Sequence, residues 1–253
     1  MAVVSLPRPR TFSRWRKLAF SSRTLLRALE YEAISGVALS GKVLDIGGDR
    51  HSGYHELFRG DIQFDTVNLN SAASPTYQYD LEYPLPIADD SYDHVISLNT
   101  FEHIRNDEHA VSEAIRVLAP GGTFHFIVPF LYRVHGSPRD FHRHTHEWWV
   151  SLLRASGVYE FRIEPLVWDP LSSGAAIAGK GRIIRALTML IGMSLLKRPL
   201  RWLLQSSAER IKRDEIRERR ISDAALGYYV DGSKPRTRPD EKSTPTHRAT
   251  SGH

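Results

Sequence analysis

Short apolar runs broken by glycine, proline and polar positions set the rhythm of the chain. Val43, Leu44 and Ile46 form a run that stops at Gly47-Gly48, the pattern of a buried strand, Lys42 to Ile46, running into a loop. Gln63 to Leu69 reads as a second strand and Pro75 to Leu81 as a short third, ending at Asp80. His94 to Leu98 and Thr123 to Val128 are a fourth and a fifth. Between these two, Ala110, Val111, Ala114, Ile115 and Leu118 recur at helical spacing, so Asp107 to Leu118 is predicted as a helix. Ala119-Pro120-Gly121-Gly122 then stops it and turns the chain. Upstream, Leu18, Leu25, Leu26, Leu29 and Ala33 fall along one face of a helical stretch, Phe12 to Leu39. Tyr54 to Phe58 reads as a short helix, Glu147 to Ala155 and Ala208 to Ile221 as longer ones. Glu160 to Trp168 and Leu226 to Val230 complete the set as strands.

Strands alternating with helices predict an α/β fold with a mostly parallel sheet flanked by helices. Ligands of such sheets bind beyond the carboxyl ends of the strands, near the switch in strand order. Chemistry is therefore expected at Gly47 and Gly48, Asn68 and Asn70, Asp80 and Leu81, Asn99 to His103, and Pro129 to Arg143.

At 253 residues, 41% hydrophobic and 25% charged, the chain has room for one generous domain with appendages. The formal charge of +5 is uneven, because every charged residue before Glu30 is basic, from Arg8 to Arg27. The plain reading is a solvated arm, irregular through Arg10; attraction to anionic lipid or nucleic acid and an organellar transit peptide are the sharper ones. There is no cysteine, which excludes disulfides and thiolate zinc sites and fits a cytoplasmic location. The amino-terminal stretch lacks the apolar core and small-residue cleavage site of a secretory signal. Ile183 to Leu196, the longest apolar run, is too short to span a bilayer and carries Arg185. The wider segment, 174–205, pairs apolar residues with bases. It suits either peripheral association with the inner face of a membrane or a helical lid over the substrate pocket.

Four stretches taken together resemble a class I S-adenosylmethionine-dependent methyltransferase, of the type 11-like group that includes enzymes of cell-surface glycan clusters. VLDIGG (Val43 to Gly48) resembles the cofactor loop, and Asp80-Leu81 with Asp90-Ser91-Tyr92-Asp93 the adenine-side loop and the start of strand four. Phe101-Glu102-His103-Ile104 resembles a recurrent Leu-Glu-His segment, and Arg116-Val117-Leu118 with Pro120-Gly121-Gly122 the entry to strand five. The resemblance implies a Rossmann-like, mostly parallel seven-stranded sheet. It divides the chain into a basic arm and helix (1–40), a methyltransferase domain with a helical insertion (41–235, insertion about 174–221) and a disordered tail (236–253).

It also implies a cofactor site for S-adenosyl-L-methionine made by Asp45, Gly47, Gly48, Asn68, Asp80, Leu81 and Asn99. Asp45 would meet the ammonium group directly or through water, Asp80 the adenine amino group, and Asn99 the methionine part. The chain departs from the family at two points. Asp49 and Arg50 stand where a further glycine is usual, and Asn68 stands where an acid normally grips the ribose hydroxyls. Asparagine can still bond a diol, at a loss of about 1 kcal/mol of charge assistance; Asp65 is the outside candidate for that role.

The segment after strand five holds His135, Arg139, Asp140, His142, Arg143, His144 and His146. Transfer to a hydroxyl benefits from a base, because an alcohol is a poor nucleophile until its proton leaves. His103, His135 and His142 are the candidate catalytic residues, with Asp140 and Arg143 for an anionic acceptor. No metal is expected; the His142-x-His144-x-His146 alternation is read as surface or capping. The predicted activity is methyl transfer to oxygen of a saccharide, glycolipid or other small molecule. A degenerate binding or scaffolding protein and an NAD(P)-dependent oxidoreductase are the alternatives. Nucleic acid is disfavoured as a partner, because Asn99-Thr100-Phe101-Glu102 is no recognised base-methylation tetrapeptide.

Overall fold

The computed structural model describes residues 3–136, 139–193, 216 and 218–236. The strands are β1 (Val3–Val4), β2 (Gly41–Ile46), β3 (Ile62–Asn68), β4 (Tyr77–Gln78), β5 (Tyr92–Leu98), β6 (Leu118–Pro129), β7 (Glu160–Leu166) and β8 (Gly227–Ser233). They form one sheet in the order β1-β7-β8-β6-β5-β2-β3-β4. Only β8 runs antiparallel, wedged between β6 and β7. Seven of these strands are the predicted ones, and β1 adds an eighth at the edge beside β7.

Among the described residues the two faces are covered by α1 (Phe12–Ala19), α2 (Leu25–Ile34), α3 (Asp107–Val117), α4 (His146–Ala155), α5 (Pro170–Ile177) and α6 (Arg182–Gly192). The alternation of side chains along each strand divides the core. Leu44 and Val95 point to one side, where Ala110, Val111, Phe126, Trp149 and Leu153 pack from α3, β6 and α4. Val43 and Ile96 point to the other, against Leu18, Leu29, Ile34, Trp168 and Met189.

The helical stretch predicted over 12–39 is two helices, each started by a threonine whose hydroxyl accepts an amide hydrogen bond, Thr11 from Arg14 and Thr24 from Arg27. The basic arm is not a solvated one. Arg8 pairs with the buried Glu164 on β7, Arg10 with Glu218, and Arg14 with Glu32. Residues 3–10, expected to be irregular, are thereby strapped along the sheet edge, and their charge is met by acids distant in sequence.

Arg185 was read as part of a basic, membrane-facing pattern, but its guanidinium turns inward. It donates to Ala19 O (2.8 Å), Ser21 O (2.6 Å) and Arg23 O (2.6 Å), the open carbonyls where α1 ends. Charge at a helix carboxyl terminus is the favourable sense of the dipole, and here it fixes α6 against α1. Of the predicted charged helix at 208–221, residues 216 and 218–221 are described and are helical; its other residues, and the predicted tail beyond 236, lie outside the described residues. No helix among the described residues is long and apolar enough to cross a membrane.

Candidate active site

The chain leaves β2 toward β3 and β4 on one side, then returns to β5 on the other side of β2. The switch in strand order therefore lies between the carboxyl ends of β2 and β5, the place where α/β sheets bind ligands. A cavity of about 1060 Å³ opens there, at the upper end of the roughly 300–1,000 Å³ range of small-molecule sites.

Gly47 stands at the switch point. Its φ of +81° suits glycine, and a Cβ there would fall 2.1 Å from Thr100 Oγ1. The Thr100 hydroxyl itself donates to Ile46 O at 3.1 Å, which ties the two strand ends together. Gly48 has a different reason: a Cβ would sit 2.0 Å from Asp45 Oδ2. The loop is thus shaped on one side by β5 and on the other by a buried carboxylate.

Of the predicted cofactor residues, Gly47, Asn68, Asp80, Leu81 and Asn99 line the cavity, as does His103. Asp45 and Gly48 do not. Asp45 is fully buried, with Oδ2 accepting from Tyr54 OH (2.6 Å) and His55 Nε2 (2.7 Å), while Oδ1 has no partner. Burial raises its carboxyl pKa, and the two donors oppose the rise.

Asn68 also has another occupation. Its amide nitrogen donates to Gly47 O (2.9 Å) and Gly48 O (3.1 Å), and its oxygen accepts from Asn70 N (2.9 Å). It is the staple of the glycine loop. An aspartate here would set a carboxylate oxygen against two carbonyl oxygens, which gives a physical reason for the departure from the usual acid. Asp65, the outside candidate, accepts from Tyr92 OH at 3.0 Å, within the sheet.

The adenine-side loop is held by side chains of the following elements. Asp80 Oδ1 accepts from Glu82 N (3.0 Å), and Glu82 in turn accepts from Arg105 N (2.6 Å) and Asn106 N (3.1 Å) just before α3. Arg116 reaches Leu85 O (3.2 Å), Ile87 O (2.8 Å) and Asp89 (2.8 Å), so the basic residue of α3 threads the loop to the helix. Asn99 has φ +53°, a left-handed conformation rare outside glycine. Such outliers cluster at functional sites.

The histidine-rich segment divides. Glu102 O accepts from Phe141 N at 2.8 Å, which straps the segment down beside the cavity. His103 donates through Nδ1 to Arg139 O, and its Nε2 lies 3.6 Å from Glu102 Oε1; His135 Nε2 lies 3.7 Å from the same oxygen. Glu102 is buried, neither of its oxygens has a hydrogen-bond partner, and burial pushes its pKa up to about 8. Burial lowers that of His103.

His142 is placed elsewhere: Nε2 donates to Arg105 O at 3.0 Å, off the cavity wall. Asp140 and Arg143 are turned to each other in a two-pronged pair, and Asp140 also accepts from His135 N at 2.7 Å. Burial opposes the charge on Asp140, but these donors outweigh it and hold the carboxyl below its ordinary range. Asp49, Tyr79, Glu82 and Tyr83 also line the wall without having been named as site residues. Their signal was their place inside or within three positions of the end of a predicted strand.

Residues 28–126 match the family described as a methyltransferase domain. That stretch of the chain is similar to a methyltransferase domain. The search of curated proteins returned no match. Among solved structures, the 4+2-cyclase SpnF is similar at 14% identity and TM-score 0.51, over 83% of this chain and 82% of that one. Phosphoethanolamine N-methyltransferase 2 of Haemonchus contortus, solved with phosphomonomethylethanolamine and S-adenosylhomocysteine, is similar at 16% identity and TM-score 0.50. That match covers 87% of this chain and 56% of that chain. At these identities the likeness is one of fold, and a fold shared by a cyclase and a methyltransferase does not fix the reaction.

Proposed function

We propose that the chain transfers a methyl group from S-adenosylmethionine to an oxygen of a saccharide, glycolipid or other small-molecule acceptor. The observation that carries this reading is convergence. Three of the four stretches that resemble a methyltransferase, far apart in sequence, bring Gly47, Asp80, Leu81, His103 and Ile104 to one cavity at the switch point. The donor set suits an adenine nucleoside with a cationic tail: Asp49, Asp80 and Glu82 bring carboxylates, Asn70 and Asn99 amides, and Tyr79, Leu81 and Ile104 apolar surface.

When bound, the cofactor supplies an electrophilic methyl group on a cationic sulfur. Gly47 would let the backbone approach its amino acid portion. Asp80 and the Leu81 amide would hold the adenine edge. Asp49, one residue past the glycines, brings to the wall the carboxylate that Asn68 does not provide for the ribose. Positioning supplies most of the acceleration in a displacement of this kind, and the acceptor's proton passes to the Glu102–His103–His135 cluster at the cavity mouth. Transfer of labelled methyl to a panel of saccharides and glycolipids tests the reading. Activity should fall about a hundredfold or more in His103→Ala; equal activity in that variant removes the cluster from the chemistry. Binding of cofactor with no transfer to any acceptor would favour the scaffolding alternative.

Peripheral contact with a membrane is part of the proposal. Ile183, Ile184, Leu187 and Ile191 are exposed on α6, a pattern that suits the headgroup boundary. Co-sedimentation with anionic vesicles should be weakened by Ile183→Glu with Ile191→Glu, and equal sedimentation of this variant would remove the contact.

A further inference from the structure

We infer that Glu102, His103 and His135 form a binding site for one divalent transition-metal ion at the mouth of the cavity. The three side chains come from two segments, the turn after β5 and the strap after β6, and one ligand atom from each lies within 4.8 Å of the others. The Glu102–His103 and Glu102–His135 separations of 3.6 and 3.7 Å are too long for hydrogen bonds. They are close to the roughly 3.3 Å between neighbouring ligands of a tetrahedral ion with bonds of about 2.0–2.1 Å. A shift of a few tenths of an ångström closes each Glu102–histidine pair, and the ligand atoms of the two histidines lie within 4.8 Å of each other.

The protons are arranged for it. His103 Nδ1 donates to the carbonyl of Arg139. His135 Nδ1 faces Arg133 O at 3.1 Å and Asp140 Oδ2 at 3.3 Å, with Arg143 Nη2 farther off at 3.4 Å. A neutral imidazole whose Nδ1 donates leaves Nε2 as a bare lone pair. Two such lone pairs and a carboxylate therefore meet, and metal-bound histidines are oriented by just this kind of outer bond. Glu102 is the second, independent observation: it is only 3% exposed, and both of its oxygens lack a hydrogen-bond partner. A buried carboxylate is costly unless something compensates it, and a cation between the three groups does so.

The neighbouring trio of Asp107, His142 and His144 has similar spacing but is already satisfied. His144 Nε2 bonds Asp107 Oδ2 at 2.6 Å, and His142 Nε2 is used on Arg105 O at 3.0 Å. Two imidazoles with one carboxylate select a borderline ion such as zinc, cobalt or ferrous iron over magnesium or calcium. His103 also lies on the cavity wall, which sets the ion site beside the cavity. Ion binding is independent of the methyl-transfer reading. Only its use there, holding and polarising an acceptor oxygen in place of an unassisted imidazole, rests on that reading.

The test is a titration of chelator-treated, tag-free protein with cobalt(II), followed by its visible ligand-field absorption. Wild type should take up one equivalent, Glu102→Gln and His135→Ala should each weaken uptake at least tenfold, and His144→Ala should match wild type. Circular dichroism confirms that each variant is folded. Identical titration of wild type and Glu102→Gln overturns the proposal, and so does a loss that follows His144. Calorimetry with S-adenosylhomocysteine in the presence of chelator reads the cofactor site separately, so failure of one reading is not mistaken for failure of the other.

Discussion

Replacing Asn68 by aspartate puts the chain's main departure from the family it resembles to the test. The change keeps shape and size but removes two donated hydrogen bonds, to Gly47 O at 2.9 Å and Gly48 O at 3.1 Å. At about 1 kcal/mol each, their loss accounts for about 2 kcal/mol. The new carboxylate oxygen would also face both carbonyls, which adds repulsion in a half-buried place and brings the total to about 2–4 kcal/mol. Asn68→Ala, which loses these two bonds and the one accepted from Asn70 N without adding charge, should fall by about 2–3 kcal/mol. Urea denaturation reads stability, and calorimetry with S-adenosylhomocysteine reads the loop. Asn68→Asp should weaken both, whereas Asp49→Asn should weaken binding alone. An Asn68→Asp protein of unchanged stability that binds the cofactor product more tightly would refute this reasoning. It would mean that position 68 grips the ribose and the loop stands without it.

Two further predictions concern the frame around the site. Arg185→Met leaves the carbonyls of Ala19, Ser21 and Arg23 without their charged donor; denaturation should show a loss of about 3–5 kcal/mol, and a loss under 1 kcal/mol would contradict the docking role of Arg185. His125 is buried beside Tyr229 OH, at 2.7 Å, and burial lowers its pKa to about 4. Its native pKa lies below the ordinary 6.5, so the stability present above pH 6.5 is lost as pH falls toward 4, by about 3 kcal/mol. His125→Asn should flatten that part of the stability profile, and an unchanged slope would contradict the assignment.

The fold was legible because its signals are local. The apolar runs of β2, β5 and β6 and the helical spacing of α3 each report on their own few residues, whereas the turn expected at Ala119 to Gly122 is the first part of β6. The lining of the cavity was legible for a related reason: it forms at the switch point from strand ends, and Gly47, Asp80, Leu81 and Asn99 all sit there. What the chain order hid were pairings across long separations. Nothing near Arg8 announces Glu164, and nothing near Arg185 announces the end of α1. Asn68 looked like a weakened ribose ligand because its partners, the carbonyls of Gly47 and Gly48, carry no side-chain signal at all. In the histidine-rich strap, composition marked the region but could not sort it. Only the fold separates His103 and His135, which face Glu102, from His142, which is spent on a carbonyl, and from Asp140 and Arg143, which are spent on each other.

The central claim is that the cavity beyond β2 and β5 is a cofactor site. Isothermal titration of the full chain with S-adenosylhomocysteine addresses it most directly. The account predicts saturable binding at one site per chain, weakened at least tenfold by Gly47→Arg and by Asp80→Ala. Absence of binding to the folded wild-type protein, or equal binding by both variants, would contradict it.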